Sequence, residues 1–183
     1  MTRPLPYVPK TTIIARGATA VAGGVAAILL TTLPVDEGRV LPAYLDPVAI
    51  PTICEGWTRG VKLGDVATHA ECDALTLQGI QEAWQLFERW VPDEVRNGMP
   101  DTSVAAFLSF IYNTGPGAPD VKDGFVYLKN GNHSTMLRLL RGGDVAAACR
   151  QLPAWASAKG RKLRGLALRR DREMAMCLKD LKP

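Results

Sequence analysis

Two histidines and four cysteines, with no Cys-x-x-Cys pair among them, are too few and too scattered to build a structural zinc site. No internal repeat or low-complexity tract is present, which excludes an array architecture. No motif marks a catalytic cysteine. A strong charge imbalance is missing too: the net charge is +4 over 183 residues, which does not by itself imply nucleic acid. Residues 159–172 do hold seven basic side chains and one acidic. No aromatic beyond Trp155 is interleaved with them, so a phosphate-backbone contact is poorly supported. The patch suits an anionic cell-wall polymer or a solvated helix face equally well. Hydrophobic content of 47% and charged content of 22% are ordinary for a globular chain with a core of its own.

The most telling absence is charge between Gly17 and Val35, a run of 19 residues. As a helix it would be ~28 Å long, close to the hydrocarbon thickness of a bilayer. Arg3, Lys10 and Arg16 precede it and Asp36 and Glu37 come after it, so the positive-inside bias keeps the N-terminus cytoplasmic and exports the rest. The run is poor in large aliphatics, holding five Ala, three Gly and three Thr. A cleaved signal peptide fits badly, because Thr32-Leu33-Pro34-Val35 offers no small-residue cut site. A permanent anchor would carry more Leu and Ile. The favoured reading is a segment that is exported as an anchor yet is weak enough to leave the bilayer later. No Cys occurs in residues 1–35, which argues against control by disulfide exchange with that anchor. The chain is thus expected to divide into residues 1–35, the anchor, and residues 36–183, the domain that it exports.

Just beyond the anchor the chain becomes chemically specific. Glu37, Asp46 and Thr52 lie within sixteen residues, with eight between the first pair and five between the second. Two carboxyl groups and a hydroxyl suffice to hydrolyse a glycosidic bond. One acid protonates the leaving oxygen, while a carboxylate and a small polar group hold a water on the opposite face of the sugar. Pro47 and Pro51 stiffen the run, and Val48, Ile50, Thr52 and Ile53 favour extended backbone. Glu37 is expected at the start of one element, with Asp46 and Thr52 on a hairpin facing it. Without that framework, the two carboxylates would be read as solvated surface groups.

Glu37-Gly38, Tyr44-Leu45-Asp46-Pro47 and Thr52-Ile53 resemble the phage-type lysozymes, the endolysins of the lysozyme-like fold. Their pattern is a Glu, an Asp nine positions later and a Thr six beyond that, and this chain meets it without a gap. Ser109-Phe110-Ile111-Tyr112-Asn113-Thr114-Gly115 is similar to the family's Phe-Asn-x-Gly-like motif. Trp155, Gly160, Leu163-Arg164-Gly165-Leu166 and Arg169-Arg170 are similar to its closing segment, so the resemblance spans residues 37–178. One departure is Cys54-Glu55-Gly56-Trp57, where many relatives carry a Gly-Tyr-Gly-His-like turn. The resemblance implies an α+β, lysozyme-like fold with a small β-hairpin lobe, a mainly helical lobe and a cleft between them, plus the N-terminal membrane segment. It also implies a muramidase acting on the β-1,4 bond between N-acetylmuramic acid and N-acetylglucosamine. Glu37 would be the general acid, and Asp46 and Thr52 would position the water. Glu37 must then be protonated at working pH, which calls for an apolar wall or a nearby negative charge.

The implied partners are peptidoglycan strands and, through residues 17–35, the inner membrane of a signal-anchor-release endolysin. The protein would face the periplasm and later enter it. A monomer is expected, with no cofactor, metal or nucleic acid. A lytic transglycosylase is the rival chemistry, but it has no water for Asp46 and Thr52 to hold. An inactive, membrane-tethered peptidoglycan-binding protein is the rival from another class.

The rest of the chain supplies the scaffold. Glycines and prolines punctuate Val40–Val66 every few residues, as in short hairpins. Thr68-His69-Ala70-Glu71 is a capping box for a helix that Pro92 stops. Asp101 or Thr102 is expected to cap a helix over Val104–Tyr112 that is apolar on nearly every side and therefore central. Residues 118–133 form an insert with strand character at Phe125–Leu128. Ser134 and Asp144 cap two further helices, and a final helix runs to about Asp180. His69 and His133 are expected at the surface. Four cysteines in an exported chain allow three pairings. The two local in sequence are preferred: Cys54–Cys72 in the hairpin lobe and Cys149–Cys177 between the last two helices, each worth about 3 kcal/mol.

Overall fold

The computed structural model describes residues 3–4, 21–46, 49–158 and 160–182. In chain order the elements begin with β1 (Arg3–Pro4), α1 (Gly23–Glu37), β2 (Val40–Leu45), β3 (Pro51–Cys54) and β4 (Asp65–Val66). Helices α2 (His69–Trp90), α3 (Asp93–Asn97), α4 (Asp101–Thr114), α5 (Thr135–Arg141) and α6 (Val145–Cys149) come next. A 3-10 turn at Leu152–Trp155, a short β5/β6 ribbon (Ser157–Ala158 with Arg161–Lys162) and α7 (Arg164–Leu178) close the chain. The strands β1 to β4 form one sheet in the order β1-β4-β2-β3, antiparallel except for β1 with β4.

Two apolar clusters define two lobes. The smaller holds Ile53, Cys54, Val61, Ala67, Cys72 and Leu75 beneath the sheet. The larger gathers buried side chains from α1, α2 and α4 to α7. Helix α2 joins them, because its helical repeat carries Cys72 and Leu75 into the small core and Ile80, Ala83 and Phe87 into the large one. The capping box at its start forms in both directions: Glu71 N–H reaches Thr68 Oγ1, and Thr68 N–H reaches the Glu71 carboxylate. Helix α4 runs through the centre and is buried continuously from Ser103 to Ile111. Its buried hydroxyls are satisfied, Ser103 by the Cys177 carbonyl and Ser109 by Glu173.

The disulfides are Cys54–Cys72 and Cys149–Cys177, the sequence-local pairing. The first ties β3 to α2 and the second ties α6 to α7.

Four expectations need correction. Pro100, not Asp101 or Thr102, precedes the central helix: Asp101 is already helical, and Thr102 Oγ1 bonds Asp180 instead. The insert over 118–133 holds no strand but a series of turns, with bridges at Ala118–Lys122 and Tyr127–His133. Phe125 and Val126 are buried because their N–H groups bond the carbonyls of Gly115 and Pro116. This fold-back presses Gly117 against Gly124 so closely that a Cβ on either would collide with the other's backbone. His133 is not free at the surface but packs on Trp90 and Tyr127. Of the basic stretch, Arg169 and Arg170 face inward, fully buried in ion pairs.

The expected membrane segment appears only in part. Residues 17–20 lie outside the described residues, and from Gly23 onward the run is helix α1, folded against α4 and α2. No helix among the described residues is long and apolar enough to cross a membrane. Val25, Leu29 and Leu33, spaced by four, form its buried stripe, whereas Val35 is 78% exposed. The helix crosses the 35/36 boundary and ends on Glu37, so Glu37 closes an element rather than starting one.

Candidate active site

Glu37 is the last residue of α1, and the chain leaves the helix at Gly38, whose φ of 77° suits glycine. The Glu37 side chain is 20% exposed. Oε1 accepts from Arg169 on α7 at 2.5 Å and from the Asn113 amide on α4 at 3.4 Å. Next to it, Asp36 pairs with Arg172, also on α7. One turn of α7 therefore fixes two consecutive carboxylates at the end of α1. The direct partners of Glu37 are a cation and an amide, where an apolar wall or a nearby negative charge was expected.

Asp46 and Thr52 sit where β2 turns into β3; Pro47 and Val48 between them lie outside the described residues. Thr52 pairs with Tyr44 across the hairpin. Both candidate side chains bond the backbone of one residue, Ile50. Asp46 Oδ1 accepts from Ile50 N–H at 2.8 Å, and Thr52 Oγ1 donates to the Ile50 carbonyl at 2.9 Å. With its proton committed to that carbonyl, the Thr52 oxygen has lone pairs left to accept from a water. Thr52 is buried, and Asp46 is half-buried. The structure thus links Asp46 to Thr52 through Ile50, whereas Glu37 takes its hydrogen bonds from the helical lobe.

Sequence reasoning missed the network that holds Glu37. Glu173, one turn beyond Arg169 on α7, is buried and accepts from Arg169 Nε at 3.0 Å, from Arg170 and from Ser109 at 2.8 Å. Arg170 in turn donates to the Asn113 side-chain oxygen. Glu37, Arg169, Glu173, Arg170 and Asn113 close a ring of hydrogen bonds. Burial opposes the charge of Arg169, but Glu37 and Glu173 more than offset it and hold that guanidinium above its ordinary range. For Arg170 burial wins, even with Glu173 beside it, and its pKa is lowered. The signal was present in the sequence: Glu173 lies four residues after Arg169 and three after Arg170, the spacings at which helical side chains meet.

On the other side of Glu37, Arg39 donates to buried Glu55 and, at 2.6 Å, to Asp73 on α2. Glu55 also accepts from Thr76 at 2.9 Å. Its placement is that of a tie between lobes, paired and dry. The Tyr112 phenol stands near both acids. Burial first, then the charges of Glu37 and Glu55, push its pKa up to about 12, against a hydrogen bond to Thr76.

A cleft of about 540 Å³ opens between the lobes, lined by Trp57 and Arg59 from the hairpin side and by Glu82, Leu86, Tyr112 and Pro116 from the helical side. Arg59 stacks 3.9 Å from the Trp57 ring centroid and bonds both Glu82 carboxylate oxygens at 2.7 and 3.0 Å. Glu37, Asp46 and Thr52 do not line this cleft. Tyr112, which does, is within electrostatic reach of Glu37. Cys54, Glu55 and Cys72 are the one group of candidate metal ligands among the described residues, and the disulfide removes both thiolates.

Residues 35–173 match the family profile of phage lysozyme. The SAR-endolysin of Enterobacteria phage PA-2 is 32% identical over 88% of this chain and 92% of its own length. Among solved structures, the active form of the P1 phage endolysin Lyz superposes with a TM-score of 0.68 at 21% identity, covering 89% of this chain and 97% of that one. The secreted inactive form of the same endolysin reaches only 0.52 at 20% identity, over 85% and 94%.

Proposed function

The chain belongs to the phage lysozyme family, and on that premise we propose that it is an endolysin muramidase hydrolysing the β-1,4 bond between N-acetylmuramic acid and N-acetylglucosamine in peptidoglycan. The observation that carries the reading is the division of labour between lobes. The helical lobe holds a single carboxyl oxygen of Glu37, while the hairpin holds Asp46 and Thr52 on the backbone of one residue, Ile50. In this scheme Glu37 gives its proton to the glycosidic oxygen as the bond to the anomeric carbon breaks. A water held by Thr52 attacks that carbon from the opposite face and loses its proton to Asp46. Asp46 then gives up that proton to solvent and Glu37 regains one from it, which restores both groups. Among the described residues no hydrogen bond reaches Glu37 Oε2, which leaves that oxygen to deliver the proton.

Before this chemistry the protein is exported with residues 17–35 as its anchor, facing the periplasm, and is later released. The PA-2 relative carries the SAR-endolysin name, and the better match to the active form of the P1 endolysin supports reading docked α1 as the working arrangement. Mass spectrometry of the products from purified peptidoglycan tests the reaction. Reducing muramic ends are expected, with an inverted anomeric configuration in the first product seen by NMR. Anhydro-muramic ends would assign a transglycosylase, and no solubilised glycan would leave only a binding protein.

A further inference from the structure

A guanidinium in contact with a carboxyl group favours the ionised form, yet a general acid must carry its proton when the substrate arrives. Arg169 is such a neighbour of Glu37, and buried Arg170 lies close behind it. The charge that answers both is Glu173, about 1% exposed and bonded to each. We propose that Glu173 is the charge-balancing and positioning residue of the general acid, acting on Glu37 through Arg169 and on its Asn113 partner through Arg170. The inference rests on Glu37 being that acid.

The geometry argues for more than packing. Glu173 uses separate oxygens for its two arginines: Oε1 takes Arg169 Nε and the Ser109 hydroxyl, and Oε2 takes Arg170. Arg169 is thereby held at Nε, which leaves Nη1 to reach Glu37 and Nη2 to reach the Ser109 carbonyl. Arg170 fixes the oxygen of the Asn113 amide, so that its nitrogen points at Glu37. With Glu37 protonated, the cluster of Arg169, Arg170 and Glu173 keeps one net positive charge. Without Glu173 it would hold two, in a buried setting where charges are weakly screened.

The other charged and titratable groups around Glu37 are already matched. On α7, Arg172 is paired with Asp36. From the hairpin and α2, Glu55 and Asp73 share Arg39. From α4, Tyr112 is a neutral phenol over the working range. Substituting Glu173 or Arg170 changes the net charge behind Glu37 while leaving the Glu37 and Arg169 side chains themselves in place.

The two substitutions have opposite signs. Glu173→Gln adds net positive charge near the acid, so the alkaline limb of the kcat–pH profile moves to lower pH, by on the order of one unit. Arg170→Gln removes positive charge, so the limb moves to higher pH. In the double variant Glu173→Gln/Arg170→Gln the limb returns towards wild type. Each variant is assayed as the full chain with both disulfides formed, after a thermal melt shows that it is folded. If Glu173→Gln does not fold, the Arg170→Gln and double variants carry the test by their displacement relative to each other. Limbs that coincide with wild type, or that all move in one direction, overturn the inference. A Glu37→Gln control keeps the two claims apart. If it stays active, the assignment of the acid has failed. If it is dead while the limbs do not move, only the role of Glu173 has failed.

Discussion

Glu37 and Glu55 are the two carboxylates whose charges act on Tyr112, and their surroundings set them apart. Glu55 is buried and bonded by both Arg39 and Thr76, whereas among the described residues only one oxygen of Glu37 takes a hydrogen bond and its side chain is 20% exposed. Glu37→Gln should lower muramidase turnover by about 10²–10⁴-fold and leave the melting temperature nearly unchanged, since an amide fills the site but delivers no proton. Asp46→Ala should cripple turnover as well, and Thr52→Ala should weaken it. Glu55→Gln should act mainly on stability, by breaking a buried ion pair. A Glu55→Gln variant that is folded and dead, beside an active Glu37→Gln, would reverse the assignment. At this scale the sequence was readable wherever the interaction was local. Thr68 with Glu71, and Asp46 with Thr52, each lie within six residues. The ring through Arg169 and Glu173 was not, because it spans 132 residues from Glu37 and a count of charges gives no direction to a side chain. What read as a basic surface is partly a buried counter-charge.

Elements were legible where a single repeat governed them. The apolar spacing of α2 and the all-round burial of α4 follow from helical period alone. The insert was misread because Phe125-Val126-Tyr127-Leu128 has a strand's composition, while the close approach of Gly117 and Gly124 turns it into a loop seated on the end of α4. Helix α1 is the subtler case. Its sequence suits a bilayer by composition, but its stripe of Val25, Leu29 and Leu33 suits a protein groove by spacing. Pro34 sits in its last turn, where it removes one intrahelical bond and its own carbonyl still accepts from Gly38. Leu29→Ala should cost about 2–5 kcal/mol in urea unfolding, because Leu29 is fully enclosed between α4 and α2. Val35→Ala should stay within about 0.5 kcal/mol, as a surface change. Equal costs at the two positions would mean that α1 is not part of the core in solution.

For the whole molecule, a helix that serves both a membrane and a core has to be weakly apolar on one side and well matched on the other. Gly23, Gly24, Ala27 and Thr31 lie exposed on packed α1, so in the proposed release leaving the bilayer would not expose a large apolar face. Val35 is two residues from Glu37. In a membrane-inserted state the acid could therefore reach no further than roughly 8 Å from the bilayer edge, held away from Arg169, Asn113 and the hairpin. Release would complete the site by letting Asp36 and Glu37 reach α7 as α1 docks. On this reading the tethered form is latent by topology, and collapse of the membrane potential activates it. The test must strengthen the anchor without disturbing the docked helix. Gly24 is unsuitable, since a Cβ there would collide with the Asp101 carboxylate, but Gly23 has open space and Ala27 is exposed. Gly23→Leu with Ala27→Leu should raise membrane retention and delay lysis, since each Leu favours insertion. The purified variant, refolded away from lipid, should keep wild-type muramidase activity. If it stays in the membrane fraction and still lyses cells as fast as wild type, the acid is competent while tethered and the link between anchor and active site is wrong.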